Sequence, residues 1–404
     1  MFSVTSPAVY VPLIFVLLIV VFAIIFSKDA KKLSRTSTKG LPYYDEISLS
    51  VDYISRNTLE NGRFKYRNNV NPEITYDNTI YNSLRHAGIL YSLYQYEQLG
   101  FENKYHDLRV NASKYFINRY IKKIDKTKYT VLSMPEEEGI RIFIAKSGAA
   151  GIALCALSNL YAEGTVDIEM LQGLGEFILW MQNKDGNIYA YYDFDKKEIN
   201  KEAEAIYYPA EAAAGLMCLY EVDPQQKWLD GAKKAIFYLQ RTQAQRNFDP
   251  IFDHWAAFTI EKLFKFNLVA EKEYQILKDY VEKMALPMLT AQITNKNHVY
   301  YGALKDNIRP CSLGTIMEGL ASIYFCTDSE KLKTIIYKSL ALGCMFLSKV
   351  QVKTGINAGG LPNSANWVKP GVTPNASVIR IDNVQHVITA WLKLQHILQV
   401  REIY

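Results

Sequence analysis

AIYYPAEAAAGLMCLYEVDPQQKWLDGAKKAIFYLQRTQ, residues 205–243, sets two helices of opposite character side by side. The first, within 202–223, carries Ala and Gly on several faces, and a helix of that kind is approached closely from all sides. The second, 225–243, combines an apolar stripe with a charged face and belongs at a surface. The pairing recurs along the chain. Small-residue helices are read at 76–100, 146–164, 202–223, 253–264, 311–328 and 380–398, with amphipathic partners at 45–58, 103–124, 167–183, 225–243, 273–292 and 330–351.

Six inner and six outer helices predict an all-α fold, an (α/α)6 toroid of six helical hairpins. The spacing between units is irregular, which fits a ring whose loops carry function better than a solenoid of fixed period. NGRFKYRNN (61–69) and KDGNIYAYYDFD (184–195) join Asn-Gly or Asp-Gly to alternating aromatics and predict short β-hairpins at the cavity mouth. Arg63 and Arg67 would meet an acidic substrate there.

At 404 residues, with 49% hydrophobic and 22% charged content, the chain can bury a large core and is not disordered. No linker or charge block interrupts 45–404, so one toroid domain is expected there. Residues 1–7 form a short tail, 8–26 (AVYVPLIFVLLIVVFAIIF) a charge-free run, and 27–44 a basic tether. A run of that length spans a hydrocarbon core of about 30 Å. Nothing basic precedes it and KDAKKLSR follows, so it reads as a transmembrane helix in the lipid bilayer rather than a cleaved signal. The positive-inside rule then makes the chain a single-pass membrane protein with its toroid on the cytoplasmic face, and the sequons at Asn111 and Asn375 keep a periplasmic or luminal side as the alternative.

The net charge of +5 sits largely in Lys28, Lys31, Lys32, Arg35 and Lys39, which argues against nucleic acid as a partner of the near-neutral remainder. The five cysteines (155, 218, 311, 326, 344) fit no CxxC pair or disulfide framework. Only Cys311, opening an inner helix, has a nucleophile's position. There is no glycine-rich phosphate loop, H-E-x-x-H, G-x-S-x-G or metal-spaced Cys/His cluster, so neither a cofactor nor a metal is expected.

In such a ring the N-terminal ends of the inner helices open onto one central cavity. Those ends carry Asp77, Asp253 and Asp382, each either a helix cap or a site group. Polar residues also persist deeper in otherwise apolar helices: Arg85, His86, Tyr207, Tyr208, Glu211, Gln385 and His386. Buried polar groups need partners, and a wet cavity supplies them. Glu204, Tyr208 and Glu211 fall at i, i+4 and i+7, one stripe with Pro209 perturbing it, suited either to acid/base work or to a structural ladder. Asp382 stands one turn before His386 and can orient that ring, while His254 opens a helix beside Trp255. Trp255 and Trp367 are the aromatics placed to stack on a sugar, and Trp367 lies in GGLPNSANWVKPGVTPNAS (359–377), long enough for a binding lid.

With 205–243, FDHWAAFTIEKLF (252–264) and RIDNVQHVITAWLKL (380–394), the chain resembles the six-hairpin (α/α) toroid carbohydrate-active enzymes, a group of glycoside hydrolases, polysaccharide lyases and sugar epimerases. The resemblance spans roughly 45–400. It implies a polysaccharide or glycan substrate in a central cleft, processed by carboxylates, or by Tyr, His and Arg where uronic acids are handled. The expected catalytic set is Glu204, Tyr208, Glu211, Asp253, His254, Asp382 and His386, with Glu204, Glu211 or Asp253 as acid and His254 or His386 as base. Substrate-binding residues are Asp77, Arg85, His86, Trp255, Trp367, Arg380 and Gln385, with Arg380 holding a carboxylate. The alternatives are a non-catalytic toroid binding glycan or a partner in a membrane-bound synthesis complex, and an isoprenoid or lipid-linked toroid enzyme.

Overall fold

A computed structural model describes residues 40–101, 103–244, 252–369 and 374–403. Among these residues twelve long helices alternate between an outer and an inner layer. The outer ones are α1 (Tyr44–Arg56), α3 (His106–Tyr120), α5 (Ile168–Met181), α7 (Gln226–Ala244), α9 (Glu271–Ala291) and α11 (Glu330–Val350). The inner ones are α2 (Ser83–Gln98), α4 (Ser147–Tyr161), α6 (Tyr208–Val222), α8 (His254–Lys265), α10 (Pro310–Cys326) and α12 (Ile381–Ile403). Each inner helix packs on the next, α2 on α4, α6, α8, α10 and α12 in turn, and α12 returns to α2, so the ring is closed.

Composition explains the layering. In α4 every residue from Ser147 to Ser158 is buried, as a helix apolar on all faces requires. Gly151 and Gly215 let α4 and α6 nearly touch: a Cβ on Gly151 would stand 2.1 Å from the Glu211 carbonyl oxygen. Outer α7 instead buries a stripe including Trp228, whose indole N–H donates to Asp223 at 2.9 Å.

Among the described residues the loops gather into two antiparallel sheets. β1 (Arg67–Asn69) pairs with β7 (Val378–Arg380), with Arg67 opposite Arg380, and ties the first hairpin unit to the last. The other sheet runs in order β2 (Ile121–Lys123), β3 (Tyr129–Ser133), β4 (Ile144–Lys146), β5 (Tyr191–Asp193) and β6 (Glu198–Asn200). The expected tight turns after the outer helices form, with bridges from Thr58 to Phe64 and from Gln182 to Ile188. The strands beyond them join larger pairings: β1 pairs with the distant β7, and β5 pairs both with the distant β4 and, across a short turn, with β6, since a lone two-stranded ribbon is marginal in water.

The expectation of a single-pass membrane protein is corrected. Among the described residues no helix is long and apolar enough to cross a membrane, since the inner helices are buried by their neighbours and the outer ones keep a charged face. The run at 8–26 and most of the 27–44 tether lie outside the described residues.

Candidate functional site

The N-terminal ends of the inner helices converge, and their side chains meet across the ring. Asp253 caps α8, accepting from the backbone N–H of Trp255 at 3.0 Å and of Ala256 at 3.1 Å, which fixes His254 as the first helical residue. Across from it, Gly314 lets α10 approach α12 so closely that a Cβ there would lie 2.9 Å from the His386 backbone. One turn on, Glu318 reaches His386, with Oε1 2.8 Å from Nδ1. The His254 and His386 rings stand edge to face, centroids 5.7 Å apart.

These two imidazoles are electrostatically unlike. His254 is buried, neither ring nitrogen has a hydrogen-bond partner, and burial with help from the charge of His386 drives its pKa well below the ordinary value. It is neutral at pH 7. Burial also opposes charge on His386, but the carboxylates of Glu318 and Asp382 outweigh it and raise that pKa. Glu318 is itself pushed up by burial, so the His386–Glu318 pair holds on to a proton.

A second wall lies along α6 and α8. Glu211 is buried and its Oε2 has no partner; Asp253 is fully buried and its Oδ2 has none. Burial, then the neighbouring Asp253, push the Glu211 carboxyl up to about 8, against the pull of Lys146. Burial pushes Asp253 up to about 7 despite its two capping hydrogen bonds. Lys146 is paired with Glu138, which also accepts from Asn82 Nδ2 at 3.1 Å and Ser83 Oγ at 3.3 Å.

The third cluster joins α2 to α12. Asp382 accepts from Arg380 Nε and, at 2.7 Å, from its Nη2, and pairs with Arg85 Nε at 3.0 Å. Burial would raise the Asp382 carboxyl, but the two guanidiniums hold it below the ordinary value. Arg85 also contacts the Tyr66 hydroxyl.

Tyr208, Glu211, Asp253, His254, Arg85, Arg380, Asp382 and His386 therefore surround the ring's mouth. Other expected residues do not join them. Glu204 is exposed and precedes α6, which starts at Tyr208 with Pro209 in its first turn, so the stripe through Glu204 does not exist. Pro is tolerated there because the first-turn N–H groups have no helical partner. Asp77 is exposed and serves its own turn, accepting from Thr79 N at 2.8 Å.

His86 is fully buried, with Nδ1 2.6 Å from the Tyr81 hydroxyl and Nε2 3.0 Å from the Ala112 carbonyl; burial lowers its pKa to about 3, making it a core histidine. Gln385 packs against Gly88 in the α2–α12 contact. Trp255 is buried between Tyr91 and Phe258 and lines an internal cavity rather than offering an open stacking face. Trp367 is half-buried, its N–H on the Val350 carbonyl at 3.3 Å, and residues 370–373 of the expected lid lie outside the described residues. Arg63 and Arg67 lie over the rings of Tyr81 and Tyr76. Cys311 is no activated nucleophile: burial and Asp382 push its thiol up to about 12.

Sequence reasoning missed Glu318. The signal was present, a lone carboxylate within the small and apolar run CSLGTIMEGLASIYFC (311–326), but it lies two turns inside its helix rather than at the start. With His254 and His386 it forms the one three-residue group among the described residues able to hold a metal ion.

Neither a protein-family model nor a curated protein sequence matches the chain. Solved structures do. The GH76A α-1,6-mannanase from Salegentibacter sp. HEL1_6 is similar at 13% identity, over 88% of this chain and 99% of that one, with a TM-score of 0.58. A D-mannose isomerase is similar at 14% identity, over 87% and 96%, with a TM-score of 0.62. The cellobiose 2-epimerase from Bacillus thermoamylovorans B4167 is similar at 12% identity, over 86% and 97%, with a TM-score of 0.61. At these identities the likeness establishes the toroid fold.

Proposed function

We propose that the chain is a carbohydrate-active enzyme that epimerises or isomerises a sugar by moving a proton at a ring or chain carbon. The observation that carries this reading is the pair of unlike imidazoles. His254, neutral and with free ring nitrogens, is suited to take a proton; His386, kept protonated by Glu318, is suited to return one. Their rings are 5.7 Å apart at the centre of the ring, close enough to serve neighbouring atoms of one substrate. Glu211 and Asp253, neutral or half-ionised near pH 7, would donate hydrogen bonds to sugar hydroxyls or a developing oxyanion. The solved structures of the D-mannose isomerase and the cellobiose 2-epimerase favour the same class on the same fold.

Glycoside hydrolysis is the second reading, with Glu211 and Asp253 as its carboxyl pair. The inactive form of the Salegentibacter mannanase is altered at two adjacent aspartates, whereas residues 1–404 contain no Asp-Asp dipeptide. One experiment separates the readings: incubation with neutral and uronic mono- and oligosaccharides in D2O, followed by NMR. Deuterium entering a C–H position with inversion or carbonyl migration supports proton transfer. New reducing ends with no carbon-bound deuterium would replace it with hydrolysis.

A further inference from the structure

His254, Glu318 and His386 come from three successive inner helices, and each offers a donor atom within 4.8 Å of the others. Two imidazole nitrogens and one carboxylate oxygen are the donor set of zinc sites that keep a coordination position open. Metal–ligand bonds of about 2.0–2.2 Å put donors of a tetrahedral site about 3.3 Å apart. Glu318 Oε1 and His386 Nδ1 stand 2.8 Å apart as a hydrogen-bonded pair, so a metal ion would replace the proton they share and move the two donors slightly apart.

A second observation is independent of that spacing. His254 is 6% exposed and both of its nitrogens lack a hydrogen-bond partner. A buried polar atom without a partner is costly, and such atoms are normally satisfied by a group the site is built to hold. The space beside the trio, lined by Tyr91, Gln95, Trp255 and Thr389, has room for one water-sized ligand. Lys393, the cation in that lining, is turned toward Ser322 Oγ at 2.6 Å and Glu261 at 3.5 Å.

We infer that His254, Glu318 and His386 form a binding site for one divalent transition-metal ion of the zinc class. Imidazole donors select Zn2+, Co2+ or Ni2+ over Mg2+ and Ca2+, which require mostly oxygen ligands. Binding stands on geometry alone. Its consequence rests on the proton-transfer reading: a metal held by His254 and His386 would occupy the two side chains that reading needs free, so metal loading and turnover exclude each other.

The test is titration of the chelator-treated full chain with Co2+, followed by visible absorption and equilibrium dialysis. The expected result is one Co2+ per chain with the d–d bands of a four- or five-coordinate ion. Glu318→Gln and His254→Gln should each weaken binding by about tenfold or more, with far-ultraviolet circular dichroism unchanged. Binding below about a tenth of an ion per chain, or equal binding in wild type and both variants, overturns the site. Zn2+ is then added to the D2O exchange assay. Loss of exchange in step with occupancy supports mutual exclusion, and exchange that persists or rises with a filled site overturns it. Co2+ binding by a protein that exchanges no sugar proton leaves the metal site standing and removes the proton-transfer reading.

Discussion

Arg85, in the first turn of the first inner helix, and Asp382, in the first turn of the last, are joined by an ion pair of 3.0 Å, so one contact both closes the ring and equips its mouth. Asp382 has a second cation in Arg380, whereas losing Asp382 leaves two guanidiniums facing each other. Arg85→Gln should therefore cost about 1 kcal/mol and Asp382→Asn about 2–3 kcal/mol. The latter lies below the cost of a fully buried pair because the guanidinium side chains are 30% and 23% exposed. Urea unfolding followed by circular dichroism measures both, and equal losses would mean the aspartate is not shared.

His254→Asn and His386→Asn should each lower solvent-proton exchange into the sugar by about 10²–10⁴-fold, the usual contribution of a positioned acid or base. Glu204→Ala, in the exposed segment before α6, should leave the rate within about twofold. A large loss in Glu204→Ala with normal rates in both histidine variants would move the chemistry elsewhere.

Glu318 raises the His386 pKa, so its removal should lower it. The alkaline limb of kcat/KM, where the protonated acid is lost, then moves to lower pH in Glu318→Gln. An unmoved limb, at whatever overall rate, would show that Glu318 does not hold the proton of His386.

Glu211 carries a proton in the folded chain up to about pH 8 but loses it near pH 4 when unfolded. The folded state binds the extra proton across that window, so this group's contribution to stability is complete below about pH 4 and is lost as pH rises toward 8. Glu211→Gln removes the dependence. The stability of the variant relative to wild type should rise between pH 5 and 8, by up to about 1.4 kcal/mol per pH unit. Thermal melts at four pH values read this, and a constant difference would place the Glu211 pKa at its ordinary value.

Gly151→Val should prevent native packing, because a Cβ alone would sit 2.1 Å from backbone that has no rotamer to yield. Poor soluble yield or a loss beyond about 3 kcal/mol is expected, while Gly139→Ala, with nothing within 4 Å of its Cβ, should lose only the strain of its positive φ of 67°.

The sequence alone determined the layering. Small residues on every face of 146–164 and 202–223 leave close burial as their only stable arrangement, and the polar faces of their partners require solvent, so six inner and six outer helices follow from local pattern. It also marked Glu211, Asp253, His254, Asp382 and His386, because a titratable group inside an apolar helix needs a partner wherever the chain takes it. What it could not supply is which partner. The stripe through Glu204 failed because Pro209 starts a helix rather than bending one, and His86 proved a core residue because Tyr81 and Ala112 satisfy both its nitrogens.

Glu318 meets His386 across 68 residues of chain, and Arg85 meets Asp382 across 297, distances fixed only when the ring closes. The same closure buries His254 without a partner and pushes the pKa values of Glu211, Asp253 and His386 up. Periodicity is local and legible residue by residue, whereas desolvation and charge pairing depend on what lies across the cavity, and only the tertiary structure decides that.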